Sequence, residues 1–129
     1  MRVVASLTTM PDRYDKVART LQTIRDQTYP LDAIYLAVPT HCRRLDIPYP
    51  PLPETITTIA RIVRCVDYGS ITKLVGALLM EEDPDTIIIT FDDDIIYHPQ
   101  VVEKLVKRHQ ELGGPNKALV DTYRRYVLR

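Results

Sequence analysis

The sequence contains little cysteine and has no excess of charge of either sign. Its 129 residues include two cysteines, Cys42 and Cys65, which are too few for a disulfide scaffold and favour free thiols in a reducing compartment. Lysine and arginine number 17, as do aspartate and glutamate, so the formal net charge is zero. A neutral chain gives no electrostatic reason to expect a nucleic-acid or anionic-membrane partner.

Long apolar runs and several well-known site motifs are missing as well. No run approaches the roughly 18 residues that span a bilayer, so we expect no transmembrane segment. No signal peptide is visible, which favours a cytoplasmic protein. The sequence has no Walker loop, nucleophile elbow or dinucleotide glycine fingerprint. His98 and His109 lack a cysteine or histidine partner at metal-ligand spacing.

What is present fits one globular α/β domain over residues 1–129, because 45% of the residues are hydrophobic and 26% are charged. Apolar runs of buried-strand length occupy residues 3–7, 33–38, 59–66 and 86–91. Segments with helical spacing begin near Tyr14, at Ser70 as N-cap and at Pro99, and the last ends at Gly113-Gly114. This alternation predicts a Rossmann-like, mostly parallel sheet flanked by helices.

Two stretches depart from the alternation. Residues 39–55 contain five prolines, four of them at 48, 50, 51 and 53, and we expect a structured loop of extended character there. The tail, residues 116–129, fits either a helix or a strand.

Polar residues follow the predicted strands at the edge where ligands bind in open α/β sheets. They are Ser6, Thr8, Thr9 and Asp12 after the first strand, Asp67, Tyr68 and Gly69 after the third, and Asp92, Asp93 and Asp94 after the fourth. The alternative for the serines and threonines is that loops are polar in any case.

The acidic triplet is the sharpest of these features. In extended backbone Asp92 and Asp94 share a face, where their carboxylates repel each other unless a cation lies between them. Oxygen ligands of this kind suit Mg²⁺ or Mn²⁺. A solvated acidic turn is the alternative. An acidic helix N-terminus fits less well, because residues 95–97 are apolar and separate the triplet from the next helix.

Lys73 and Asp67 are two further candidates. If Ser70 caps the second helix, Lys73 lies at N3, where it adds a cation to a phosphate-binding helix terminus, although an exposed lysine without function fits equally well. Asp67 and Tyr68 together can bind and stack on a nucleobase. The alternative is a turn aspartate beside a half-buried tyrosine.

A resemblance to a known family rests on three segments, which read SLTTMPDR at residues 6–13, DYGSITKL at 67–74 and FDDDIIY at 91–97. Together they resemble GT-A-fold glycosyltransferases of the family 2 type, including those encoded by large DNA viruses. The resemblance runs from about Val3 to His109.

The resemblance implies transfer of a sugar from a nucleotide-sugar, which we expect to be a UDP-sugar, with Mn²⁺ or Mg²⁺ held by a D-x-D motif. Asp94 and Asp92 are the implied metal ligands, Asp92 is also the implied ribose-side acid, and Asp93 lies between them. The other implied donor contacts are Thr9 near the nucleoside, Asp67 at the base or ribose, and Lys73 and Arg13 near the phosphates. The acceptor is not identified.

The length of the chain departs from the family. Members continue well past the triplet into a half that binds the acceptor and, in inverting enzymes, supplies a general base, whereas only about 35 residues follow Asp94 here. We therefore expect the nucleotide-sugar-binding half of such an enzyme, as a fragment, as a truncated gene product, or as a domain that self-association or a partner chain completes, and we assign no catalytic base. The alternatives are a binding module without turnover and a metal-dependent phosphoryl-transfer enzyme.

Overall fold

The computed structural model of the chain describes residues 1–112, which form an α/β fold. The strands are β1 (Val3–Thr8), β2 (Ala33–Ala37), β3 (His41–Cys42), β4 (Ile47–Pro48), β5 (Arg61–Val63) and β6 (Ile87–Thr90). The helices are α1 (Tyr14–Arg25), α2 (Glu54–Thr57), α3 (Thr72–Met80) and α4 (Val101–Glu111), and a 3-10 turn at Gly69–Ile71 precedes α3.

Four strands form a parallel sheet in the order β5-β2-β1-β6. The chain first builds outward from β1 to β2 and β5, and then returns to place β6 on the other side of β1. Ser6 in the central strand lies opposite Tyr35 on one side and Thr90 on the other. These observations confirm the predicted α/β class with a mostly parallel sheet, and the order is compatible with a Rossmann-like fold.

One face of the sheet carries the main core. Alternate side chains of β1, Val3 and Leu7 among them, point to this face and pack with α1 and α4. Helix α1 presents Val17 and Leu21 at the spacing of a buried helix face. The predicted first helix and first strand are therefore confirmed, because burial and periodicity agree in both.

The opposite face is covered by α3 alone among the described elements. The hydroxyl of Ser6 anchors this helix to β1, since it donates to the carbonyl oxygen of Lys73 at 2.6 Å and accepts from the N–H of Ala77 at 3.2 Å. Gly76 permits the close approach: a Cβ at that position would lie 3.4 Å from Cβ of Tyr35. The last turn of α3 leaves three large apolar side chains exposed, those of Leu78, Leu79 and Met80. Self-association through such a surface stays a prediction.

Several predicted boundaries were wrong. The proline-rich stretch at residues 39–55 holds an antiparallel pairing of β3 with β4 and the start of α2. Ser70 is not a helix N-cap, because it lies inside the 3-10 turn and α3 begins at Thr72. The last helix begins at Val101 instead of Pro99. Gly113-Gly114 and the tail at 116–129 lie outside the described residues.

Two expectations from the composition can be compared with the structure. Cys42 and Cys65 are both free, as predicted. No helix within residues 1–112 combines the length and the hydropathy that crossing a bilayer requires.

Glu81, directly after α3, joins three elements through its carboxylate. It accepts hydrogen bonds from the guanidinium of Arg2, 3.0 Å from Nη2 to Oε2, and from the hydroxyl of Tyr35 in β2. These bonds, that from Arg2 first, lower the pKa of Glu81 from 4.5 to about 2.

The low pKa of Glu81 predicts a pH-dependent stability. Because the folded-state pKa lies below the ordinary value of 4.5, the ionised group stabilises the fold above about pH 4.5, and this stabilisation is lost as the pH falls toward 2. We expect Glu81→Gln to remove that part of the pH dependence of the free energy of unfolding, measured by urea denaturation. Glu82→Gln is the control, because Glu82 is exposed. Equal slopes for wild type and Glu81→Gln would contradict the assignment.

Candidate functional site

A cavity of about 580 Å³ opens at the carboxyl ends of β1 and β6. Its volume lies within the range of roughly 300–1,000 Å³ that is typical of small-molecule sites. The strand order reverses between β1 and β6. In open α/β sheets this reversal leaves a crevice, because the connections on its two sides leave the sheet in opposite directions.

The cavity brings together most of the residues that the sequence singled out. Those that line it are Thr9, Arg13, Asp67, Lys73, Asp92 and Asp93. Asp94 is exposed and lies outside this lining. Six of the seven residues predicted to contact the donor or its metal ion are therefore neighbours in space, although up to 84 positions separate them in the chain.

Asp93 is the buried member of the triplet. One carboxylate oxygen accepts a hydrogen bond of 2.8 Å from Oγ1 of Thr9, and the other lies 3.3 Å from Nη1 of Arg13. Its backbone carbonyl accepts a further bond, of 3.1 Å, from Oγ1 of Thr20 in α1. Burial raises the pKa of Asp93, while the bond from Thr9 and the charge of Arg13 oppose that rise. Asp93 thus ties the loop after β6 to the end of β1 and to α1.

Asp92 and Asp94 do not follow the strand geometry that the sequence argument used. Strand β6 ends at Thr90, and residues 93–94 form a turn, so the rule that alternate side chains share a face does not apply. The N–H of Asp92 donates to the hydroxyl of Tyr97 at 2.7 Å, which fixes its backbone. Its carboxylate lies 3.6 Å from Nζ of Lys73, and the side chain is 44% exposed.

No group of three or more histidine, cysteine, aspartate or glutamate side chains is placed to hold a metal ion within residues 1–112. Mg²⁺, however, is usually held by one or two carboxylates together with waters and substrate phosphates. Asp92 and Asp94 supply hard oxygen donors of that kind. Asp92 lines the cavity and Asp94 is exposed outside its lining, so a metal ion shared by these two carboxylates stays a prediction.

Asp67 acts as a brace between two loops. Oδ2 accepts the N–H of Arg43 at 2.9 Å, and Oδ1 accepts the N–H of Gly69 at 2.8 Å. This is the turn aspartate of the alternative interpretation, placed within the lining of the cavity. Its predicted contact with a base or ribose stays a prediction.

Lys73 is the second residue of α3, one position earlier in the helix than the Ser70 cap predicted. The bond between its carbonyl oxygen and Ser6 holds its backbone against the central strand. The backbone of Lys73 is therefore fixed at the amino-terminal end of α3, and its ammonium group lies beside Asp92. Cations there oppose the helix dipole, and a phosphate would relieve that conflict.

The sequence analysis missed two cations of the cavity, Arg43 and Arg44. They lie in the turn between β3 and β4, in the stretch predicted as an extended loop. Strands of two residues are too short to show periodicity, so no hairpin was predicted. The adjacent arginines, six and seven residues beyond the end of β2, were the signal that could have found them.

The cations of the cavity fall into two kinds. Arg13 and Lys73 each face a carboxylate, that of Asp93 and that of Asp92. Arg43 and Arg44 form no ion pair with any carboxylate in the part of the chain that the structure describes. The lining of the cavity also includes an apolar and aromatic part, whose members are Met10, Cys42, Tyr49 and Phe91. A cavity with spare positive charge and an apolar wall suits an organic anion.

Gly69 lies between Asp67 and α3 in the chain and has φ of +71°. A Cβ at this position would meet no atom within 4 Å, so a side chain costs only the left-handed backbone conformation. We expect Gly69→Ala to lower the free energy of unfolding by about 1 kcal/mol, measured by urea denaturation. Gly69→Asn should cost less, because asparagine tolerates that conformation. Equal stability of wild type and Gly69→Ala would contradict this account.

Comparison with known proteins gives no information on function beyond that from the geometry of the site. No protein-family model matches the chain, and no curated protein sequence matches it either. A fold of this class hosts many unrelated activities, so the function has to be argued from the cavity and its residues.

Proposed function

We propose that this chain is a GT-A-like glycosyltransferase domain that binds a nucleoside diphosphate sugar, a UDP-sugar, in the cavity between β1 and β6. One observation carries the proposal: the reversal of strand order holds a cavity in which Thr9, Lys73 and Asp92 lie together. Six residues predicted from the resemblance line this cavity, at a reversal of strand order where open α/β sheets bind ligands, and this supports the proposal.

The lining of the cavity matches the parts of that ligand. The diphosphate faces the cations, among which Lys73 stands at the start of α3. The nucleoside faces the apolar wall, where Tyr49 is held by a 2.8 Å hydrogen bond from its hydroxyl to the carbonyl oxygen of Thr9. Burial raises the pKa of Tyr49, so the hydroxyl stays protonated and keeps donating that bond. A fixed aromatic ring offers a flat surface against which a nucleobase can stack.

Asp92 and Asp94 are the residues that would hold Mn²⁺ or Mg²⁺. A divalent ion at that position supplies Lewis-acid stabilisation of the charge that develops on the leaving diphosphate. The protein contributes by fixing the loop: Asp93 fastens it to Thr9, and Tyr97 fixes the backbone of Asp92.

Calorimetry with UDP and Mn²⁺ tests the proposal. We expect wild type to bind UDP more tightly when Mn²⁺ is present, and Asp94→Ala to lose that enhancement, because one of two carboxylate ligands is gone. Asp15→Ala is the matched control, since Asp15 is an exposed carboxylate on α1 that does not line the cavity. The proposal fails if millimolar UDP with Mn²⁺ does not bind, or if Asp94→Ala binds as wild type does.

A second candidate is a module that binds the nucleotide-sugar without turning it over. It is favoured by the state of the cavity carboxylates: Asp67 accepts two backbone N–H groups, Asp92 faces Lys73, and Asp93 is bonded to Thr9 and Arg13. Each carboxylate already has partners that hold it in place. A general base for an acceptor hydroxyl would then have to come from another segment or another chain.

Turnover separates the two candidates. If the chain is a glycosyltransferase, we expect it to release UDP from at least one UDP-sugar in the presence of Mn²⁺, with or without an added acceptor. A coupled assay for UDP measures this release. The binding module predicts tight UDP-sugar binding by calorimetry and no UDP release above that of Asp94→Ala. Binding combined with release in wild type alone would exclude the binding module.

A further inference from the structure

We propose that the β3–β4 hairpin is the diphosphate-binding element of the cavity, and that Arg43 and Arg44 bind phosphate oxygens directly, with no divalent ion required. The inference rests on the proposed function, because it takes the ligand of this cavity to carry two linked phosphates. It goes further by assigning phosphate recognition to two residues outside the acidic triplet and outside the segments that resemble the glycosyltransferase family.

The first observation is that these two arginines are available. Both line the cavity and both are exposed residues. Neither forms an ion pair with a carboxylate within residues 1–112, whereas Arg13 and Lys73 already do. An anion that enters the cavity can therefore recruit Arg43 and Arg44 without separating either group from an existing carboxylate partner.

The second observation is that the hairpin is held in place on the cavity side. The backbone N–H of Arg43 donates to Oδ2 of Asp67, whose Oδ1 accepts the N–H of Gly69. Farther along, the N–H of Tyr49 donates to the carbonyl oxygen of Thr40 at 3.2 Å. The arginine backbone is thereby tied to the turn that leads into α3, so less ordering is needed when a ligand binds.

The chemistry of arginine matches a diphosphate. The guanidinium is planar, stays charged and presents paired N–H donors that fit two oxygens of one phosphate. Arg43 and Arg44 are adjacent in the turn, and Lys73 borders the same cavity from α3. Arg43, Arg44 and Lys73 together offer donors to more than one phosphate, which favours a diphosphate over a monophosphate, because the second phosphate adds a charge and further acceptor oxygens.

The test uses inorganic pyrophosphate, titrated calorimetrically into the full chain in the presence of EDTA. We expect wild type to bind, and Arg43→Gln/Arg44→Gln to bind about tenfold more weakly or worse, because charge-assisted hydrogen bonds are lost. Arg19→Gln/Arg61→Gln is the control, since it removes the same charge from exposed residues outside the cavity lining. Circular dichroism checks the fold, and the single variants answer the same question if the double variant unfolds.

Asp67→Ala gives a sharper test, because two explanations predict opposite changes in the affinity for pyrophosphate. On charge alone, removing a carboxylate from the cavity strengthens pyrophosphate binding. If Asp67 positions Arg43 through the N–H bond, its loss weakens pyrophosphate binding despite the gain in positive charge. Weaker binding supports the proposal, and stronger binding contradicts the positioning role of Asp67.

The remaining outcomes separate this inference from the proposed function. Pyrophosphate and UDP binding that require Mn²⁺ and are unchanged in Arg43→Gln/Arg44→Gln would overturn the inference and leave the proposed function standing. Pyrophosphate binding in EDTA that depends on the arginines, without any added affinity for UDP, would support the inference and contradict the nucleotide assignment. If the control double variant loses the same affinity for pyrophosphate, the effect comes from net charge alone, and the inference is overturned.

Discussion

The site depends on one buried hydrogen bond, from Oγ1 of Thr9 to Oδ2 of Asp93, at 2.8 Å. It joins the carboxyl ends of β1 and β6, which are neighbours in the sheet but far apart in sequence. A buried carboxylate is costly unless it is bonded and its charge is balanced, and here Arg13 supplies the opposite charge. Asp93 is bonded to Thr9 and Arg13 in the interior, whereas Asp92 lines the cavity and Asp94 is exposed outside its lining.

The two faces of the sheet serve different purposes. The face packed by α1 and α4 contains the larger core and provides a rigid support for the strand ends. The other face is joined to α3 through Ser6, a buried polar residue of β1. That bond places Lys73 beside the cavity. Packing on one face thus fixes the frame of the site, while polar contacts on the other fix one of its cations.

The strands, and the residues that follow them at the site, could be predicted from the sequence, because strands buried on both faces consist of continuous apolar runs. The third predicted run, residues 59–66, was too long. The sheet uses Arg61–Val63 alone, because the N–H of Ala60 donates to the carbonyl oxygen of Ile56 in the turn that follows α2. The hairpin with Arg43 and Arg44 could not be read, since each strand has two residues and its placement depends on a bond to Asp67, 24 residues away. Non-local contacts of this kind leave no periodic signal.

Lys73 can bind a ligand although its ammonium group faces the carboxylate of Asp92. The two groups are 3.6 Å apart, and their side chains are 36% and 44% exposed, so water screens their attraction. Pairs this exposed contribute less than about 1 kcal/mol. Separating the ammonium from Asp92 therefore costs little compared with what a charge-assisted bond to a phosphate returns, on the order of 1.5–3 kcal/mol. Arg13 is in a different position, because its partner Asp93 is buried and would be left with an uncompensated charge. Of the two paired cations in the cavity, Lys73 is thus the one that can turn toward a diphosphate, while Arg13 stays with the loop that it holds.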